Sequence, residues 1–183
     1  LLLYRLLAEG RYDFTYDQMP VSVRGMPWPK RLNVLRSGLN LLRRRLRPWA
    51  MPLHIQAELT SFCQLKCPVC PTGTGELNRA PRSMRPALFQ QVMREAGPYL
   101  LTASLWGWGE SLLNPQLREI LRCAAGSGVV TFLSTNGQFL DRESVLRDIL
   151  DYPPSYLIVS IDGLTDETNA RFRAGARLEP ALR

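Results

Sequence analysis

Cys63-Gln64-Leu65-Lys66-Cys67-Pro68-Val69-Cys70 sets three thiols at C-x3-C-x2-C spacing within eight residues, directly after the strand-like run 53–60. Three thiolates on one tight loop can hold three irons of a cubic iron–sulfur cluster, whose usual protein complement is four cysteines. The remaining iron is then left for another ligand. A structural zinc is the competing reading, and it takes four protein ligands. The other candidates are Cys123 and His54, the single histidine. Cys123 sits in the helical-looking run Leu121-Arg122-Cys123-Ala124-Ala125, where a thiol packs as a small hydrophobe, and His54 belongs to the strand before the loop. Disulfides would have to crowd into the same short loop, and nothing else in the sequence points to an oxidising compartment.

Downstream of the thiols the chain alternates strand and helix patterns. Residues 72–84, rich in Gly, Thr, Arg and Pro, continue the loop. Pro86 suits the first turn of a helix through Leu88, Val92, Met93 and Ala96 that stops at Gly97-Pro98. A second strand over 103–106 runs into Gly107-Trp108-Gly109-Glu110. Asn114-Pro115 caps a helix carrying Leu117, Ile120, Leu121 and Ala124. The apolar run 129–134 predicts a strand covered on both faces, and Thr135-Asn136-Gly137 turns the chain. Asp141 is the expected N-cap of a helix through Val145 and Ile149, halted by Pro153-Pro154. A fourth strand over 156–161 ends in Asp162-Gly163, and Thr165 caps a last helix whose Asp166 and Glu167 suit its first turn.

Four βα units in succession imply a parallel sheet with right-handed crossovers. In barrels built this way the active site lies at the C-terminal strand ends. The polar motifs all fall there: the cysteines after the first strand, Gly109 and Glu110 after the second, Ser134 and Asn136 after the third, Ser160 and Asp162 after the fourth.

The N-terminal region reads differently. Residues 1–50 hold ten Lys/Arg against three acidic residues, a net of +7, while residues 51–183 hold thirteen of each and are neutral. The basic pI therefore belongs to the extension, and overall charge says nothing for nucleic-acid binding by the rest. Residues 1–29 show no sustained period and are expected to form a loosely ordered lead-in. In 31–48, Leu32, Leu35, Leu39, Leu42 and Leu46 recur at helical steps, with Arg31, Arg36, Arg43, Arg44, Arg45 and Arg47 on the other faces. Such a basic amphipathic helix suits a membrane surface, an acidic partner or RNA. The expected arrangement is packing of the leucines over the end of the next domain, with the arginines solvated. No apolar run reaches the roughly 18 residues that argue a membrane span. The opening residue is Leu, not Met, and the chain is expected to be a piece of a longer protein.

The cysteine motif preceded by Glu58-Leu59-Thr60, Trp108-Gly109-Glu110-Ser111-Leu112-Leu113-Asn114-Pro115, Ser134-Thr135-Asn136-Gly137, Val159-Ser160-Ile161-Asp162-Gly163 and Arg173-Ala174-Gly175 together resemble the core of the radical S-adenosylmethionine (SAM) superfamily, closest to the subgroup with a C-terminal SPASM extension. The resemblance implies an α/β fold, a partial (β/α)6 TIM-like barrel of which about four units are present over residues 51–183, with residues 1–50 as lead-in and basic helix. It implies an enzyme in which Cys63, Cys67 and Cys70 bind a [4Fe-4S] cluster and SAM chelates the open iron. Gly109 and Glu110 would meet the SAM amino group, and Ser134, Asn136, Ser160 and Asp162 the ribose and methionine carboxylate. Reductive cleavage of SAM would give a 5′-deoxyadenosyl radical that takes hydrogen from a peptide, a cofactor precursor or RNA, in the cytoplasm, with an electron donor such as a flavodoxin or ferredoxin. The substrate-facing strands and any auxiliary clusters would follow Arg183. Two positions depart from the common pattern: Val69 stands where an aromatic residue is frequent, and Trp108 where a second glycine is. The alternative is a zinc-binding interaction module using the cysteine loop and the basic helix.

Overall fold

The computed structural model describes residues 1–182. Its centre is a parallel sheet of β3 (His54–Gln56), β4 (Thr102–Ser104), β5 (Val130–Thr135) and β6 (Tyr156–Val159), paired in chain order. Between the strands run α2 (Pro86–Ala96), α3 (Leu117–Ala125) and α4 (Glu143–Asp151), and α5 (Asp166–Ala170) follows β6. Ahead of the sheet lie an antiparallel hairpin of β1 (Tyr12–Tyr16) and β2 (Met19–Val23), and α1 (Trp28–Leu42).

Side chains alternate across a strand, and the two faces of this sheet meet different partners. Ala103, Leu105 and Leu133 point to the helix layer, where Phe89, Met93, Ile120, Leu121 and Ile149 close the main core. On the opposite face, Phe132, Val130 and Tyr156 pack against Val21, Val23, Tyr12, Phe14 and Tyr16 of the hairpin. Tyr16 stacks on His54, and its hydroxyl hydrogen-bonds Ser104 Oγ at 2.9 Å. The hairpin thus fills the lower part of the face that lines a barrel's interior.

This corrects the expectation of a loosely ordered lead-in over residues 1–29. The hairpin turn is made by Asp17 and Gln18, with φ of 46° and 62°. Both central residues lie in the left-handed region, as a type I′ turn demands, without the usual Asn-Gly or Asp-Gly pair. Pairing is in register from Tyr12–Val23 to Tyr16–Met19.

The orientation of α1 is a second correction. Its buried residues are Lys30, Asn33, Val34 and Asn40, whereas Leu32, Leu39 and Leu42 are exposed and Leu35 is half-buried. The helix ends at Leu42, short of Pro48, and Leu46 lies beyond it. The reason is that α1 packs over loops, whose backbone groups need hydrogen-bond partners. Lys30 Nζ donates to Gly128 O at 3.0 Å; Asn33 Nδ2 donates to Met51 O and Tyr99 O; Asn33 Oδ1 accepts from Met51 N. Polar side chains share the buried face with Val34 and Leu35, which join the hairpin core, because the loops beneath present backbone groups.

The βα half follows the expectations with shifts at element ends. α2 starts at Pro86 and stops before Gly97 as read from the sequence. Thr165 caps α5 in a reciprocal arrangement with Thr168. Asn114 does not cap α3 directly: Gln116 is the N-cap, and a 3-10 turn, Ser111–Leu113, precedes Asn114. Asn114 is instead a buried clamp whose Nδ2 donates to Leu59 O and Met84 O. Arg142, not Asp141, precedes the first residue of α4.

Candidate cluster and nucleotide site

Cys63, Cys67, Cys70, Gly109, Glu110, Ser134, Asn136, Ser160 and Asp162 all line a single cavity of about 340 Å3 above the C-terminal ends of β3 to β6. Ser134, Asn136, Ser160 and Asp162 reach it directly from the ends of β5 and β6, and the cysteines from the longer loop after β3.

The cysteine loop is fixed at several points. Lys66 N donates to Ala174 O at 2.9 Å, tying it to the segment after α5. Behind Cys67, a Cβ on Gly73 would stand 2.3 Å from Cys67 O and 2.6 Å from Cys67 N, so only glycine lets the loop fold this tightly. Asn136 Nδ2 donates to Cys63 Sγ at 3.9 Å, and Cys70 Sγ–H donates to Trp108 O at 3.9 Å. The four cysteines are free thiols, and all are half-buried. Burial pushes the Cys63 and Cys67 thiols above the ordinary value. Loading a metal there releases their protons.

Glu110 holds the strand tips together. It is 3 % exposed, and its carboxylate accepts from Thr135 Oγ1 at 2.7 Å, Asn136 N at 2.8 Å and Leu112 N at 3.1 Å. Its own N–H donates to Phe62 O at 2.7 Å. Burial raises its pKa above the ordinary carboxylate value, against the pull of those three hydrogen bonds. Glu110 is therefore a brace joining the ends of β3, β4 and β5, a role its placement in a sequence motif does not announce. Gly109 beside it is equally constrained, because a Cβ there would sit 2.0 Å from Thr60 O. Glu58 braces the same turn from the other side, accepting from Trp108 N at 2.8 Å and pairing with Arg79.

Ser134 and Ser160 face each other from β5 and the end of β6, Oγ to Oγ 3.4 Å. Asp162 pairs with Arg173, and its backbone N–H donates to the buried Asn169 Oδ1 at 2.9 Å. Sequence reasoning assigned no role to Thr135, Gln64 or Arg173. Gln64 Nε2 donates to Asn136 Oδ1, Thr135 bonds Glu110, and Arg173 is the cation of the cavity wall. For Arg173 a signal was present, an arginine in a motif a short helix away from a lone tip carboxylate; for Gln64 there was none. Val69 and Trp108 both line the cavity and are exposed, and Trp106 spans from the cavity to the hairpin core.

The residues fit an iron–sulfur cluster better than one metal ion. His54 is engaged with Thr102 and Tyr16 beneath the cavity, and Cys123 packs against the helix-layer core. Neither can complete a four-ligand zinc site with the loop, while three sulfurs spread along one cavity suit a larger group.

The profile of the radical SAM superfamily matches residues 57–183. Fe-coproporphyrin III synthase of Methanosarcina barkeri is 30 % identical over 119 residues, 63 % of this chain and 28 % of that protein. The antilisterial bacteriocin subtilosin biosynthesis protein AlbA of Bacillus subtilis is 29 % identical over 128 residues, 67 % of this chain and 27 % of that protein. The chain thus spans under a third of the length of these relatives. Among solved structures, Streptococcus suis SuiB bound to S-adenosylmethionine superimposes with a TM-score of 0.62 at 22 % identity, covering 82 % of this chain and 34 % of that one. That likeness speaks for the fold.

Proposed function

The chain belongs to the radical SAM superfamily, whose enzymes use a [4Fe-4S] cluster and S-adenosylmethionine, and from that premise we propose that residues 51–183 form the cluster- and SAM-binding core of an enzyme acting on a peptide. Residues 1–50 are the N-terminal addition to that core. Cys63, Cys67 and Cys70 would hold the cluster. When bound, it supplies the electron that cleaves the sulfonium of SAM, giving methionine and a 5′-deoxyadenosyl radical that takes hydrogen from substrate.

The chain's own groups prepare the ground. The Gly109 carbonyl would accept from the SAM ammonium, in a turn braced by the Glu110 carboxylate through its three donors. Ser134, Ser160 and Asn136 offer hydroxyl and amide groups to the ribose. Arg173, held by Asp162, would offer its guanidinium to the methionine carboxylate. Val69, on the cavity wall, would give adenine an aliphatic surface. A peptide substrate is favoured by SuiB, one structure of which holds its precursor peptide SuiA, and by the bacteriocin pathway named for AlbA. We place the reaction in the cytoplasm, with a flavodoxin or ferredoxin as donor and SPASM-type auxiliary clusters elsewhere in the full protein.

The observation that carries this reading is the gathering of all nine residues around one cavity. Anaerobic reconstitution is expected to give brown protein with iron and sulfide in equal amounts that forms 5′-deoxyadenosine from SAM under dithionite. Cys67→Ala is expected to lose all of these. Uptake of one colourless zinc and no iron would overturn it.

A further inference from the structure

The outward leucines of α1 run on into the most basic stretch of the chain. Leu41, Leu42 and Leu46 are 80 %, 81 % and 99 % exposed, with Leu39 and Trp49 also open to solvent. Arg43, Arg44, Arg45 and Arg47 are interleaved with them, and no acidic residue occurs between Asp17 and Glu58. None of the four makes an ion pair with another described residue.

The segment has a defined shape. Arg45 N donates to Asn40 O at 3.0 Å, and Trp49 N donates to the side chain of the buried Asn40 at 3.2 Å, folding the chain back on the helix end. The guanidinium carbon of Arg45 lies 3.7 Å from the Trp49 ring centre and that of Arg43 5.6 Å. Leucines, a tryptophan and unpaired arginines are thereby displayed together. Meanwhile the opposite side of α1 is bound to the domain through Lys30 and Asn33.

We propose that residues 39–49 dock this protein on an anionic membrane surface. A second copy of this surface would set arginine against arginine, with no carboxylate between Asp17 and Glu58 to offset them. A lipid headgroup layer accommodates arginine and leucine alike: leucines enter the acyl boundary and arginines stay with the phosphates. RNA would use the arginines and leave the leucines wet. Anionic lipid is the occupant that uses every exposed group.

The test is co-sedimentation of the full chain with vesicles of phosphatidylcholine plus phosphatidylglycerol, against phosphatidylcholine alone. Binding is expected to the mixed vesicles only and to weaken as salt rises. Replacing Arg43 and Arg44 by Gln should reduce it roughly fivefold per arginine. Leu42→Asp with Leu46→Asp should reduce it about tenfold or more. Both positions are exposed, so an unchanged circular dichroism spectrum accompanies these losses. Equal binding to both vesicle types, or none to either, overturns the proposal. So does a dimer in solution abolished by the leucine changes, which would make a second copy the occupant, or binding to an RNA homopolymer that survives them.

Discussion

Phe132 and Ser134 are next neighbours on one face of β5, yet the first is sealed under the N-terminal hairpin and the second opens on the cavity. The same division recurs on β6 and its extension, where Tyr156 meets the hairpin and Ser160 the cavity, and at β4, where Ser104 binds Tyr16 and Trp106 reaches upward. Which face a residue takes follows from strand alternation. What it meets there depends on height along the strand, and that is decided by a segment more than a hundred residues away in sequence from Phe132. The lower half is a core and the upper half is a site, on one continuous surface.

If the halves are separable in energy, the largest effect belongs below. Phe132→Ala is expected to cost about 3–5 kcal/mol in denaturant unfolding, while the protein that remains folded takes up iron and sulfide as the parent does. Loss of the cluster spectrum from the folded fraction would show the halves to be one unit.

Above, Gly109→Ala drives a methyl group against Thr60 O. The expected cost is about 1–3 kcal/mol, accompanied by loss of SAM affinity in calorimetry. Glu110→Gln faces an amide toward three donors and is expected to cost about 1–3 kcal/mol. Its pH signature has a definite sign. The native pKa of Glu110 is raised above the ordinary 4.5, so its contribution is fully present below that value and is lost as pH rises toward the native one. The glutamine variant should lack this slope, as unfolding curves at successive pH values can show.

The smallest effect returns to the boundary between the halves. Tyr16→Phe removes the hydroxyl bonded to Ser104 and keeps the ring on His54 and Phe132. A loss of about 0.5–1.5 kcal/mol is expected, with no change in SAM affinity.

The upper half was legible in the sequence because its signals are local. Each site residue stands just after an apolar run, and parallel topology sends all such ends to one side. The helices were legible for the same reason, since α2 and α5 carry their own boundary chemistry in Pro86, Gly97 and Thr165. The hairpin was not, because Asp17-Gln18 is a poor advertisement for a type I′ turn and β1 mixes Asp13 and Thr15 with aromatics. α1 was misleading: its leucine period is real, but beside the apolar patch that takes Val34 and Leu35 the surface beneath it presents loop carbonyls and amides, and Lys30 and Asn33 answer those groups better than leucine can. The bracing role of Glu110 also lay beyond reach, since two of its three donors come from β5 and the turn after it.

That brace has a consequence for maturation. The bonds that Glu110, Asn114 and Lys66 contribute to the frame of the site are all made within the polypeptide. On the proposed reading, cluster loading would draw on a frame whose bonds the polypeptide makes for itself, unlike a zinc finger, whose folding waits for its ion. Withholding iron is then expected to leave the unfolding midpoint unchanged.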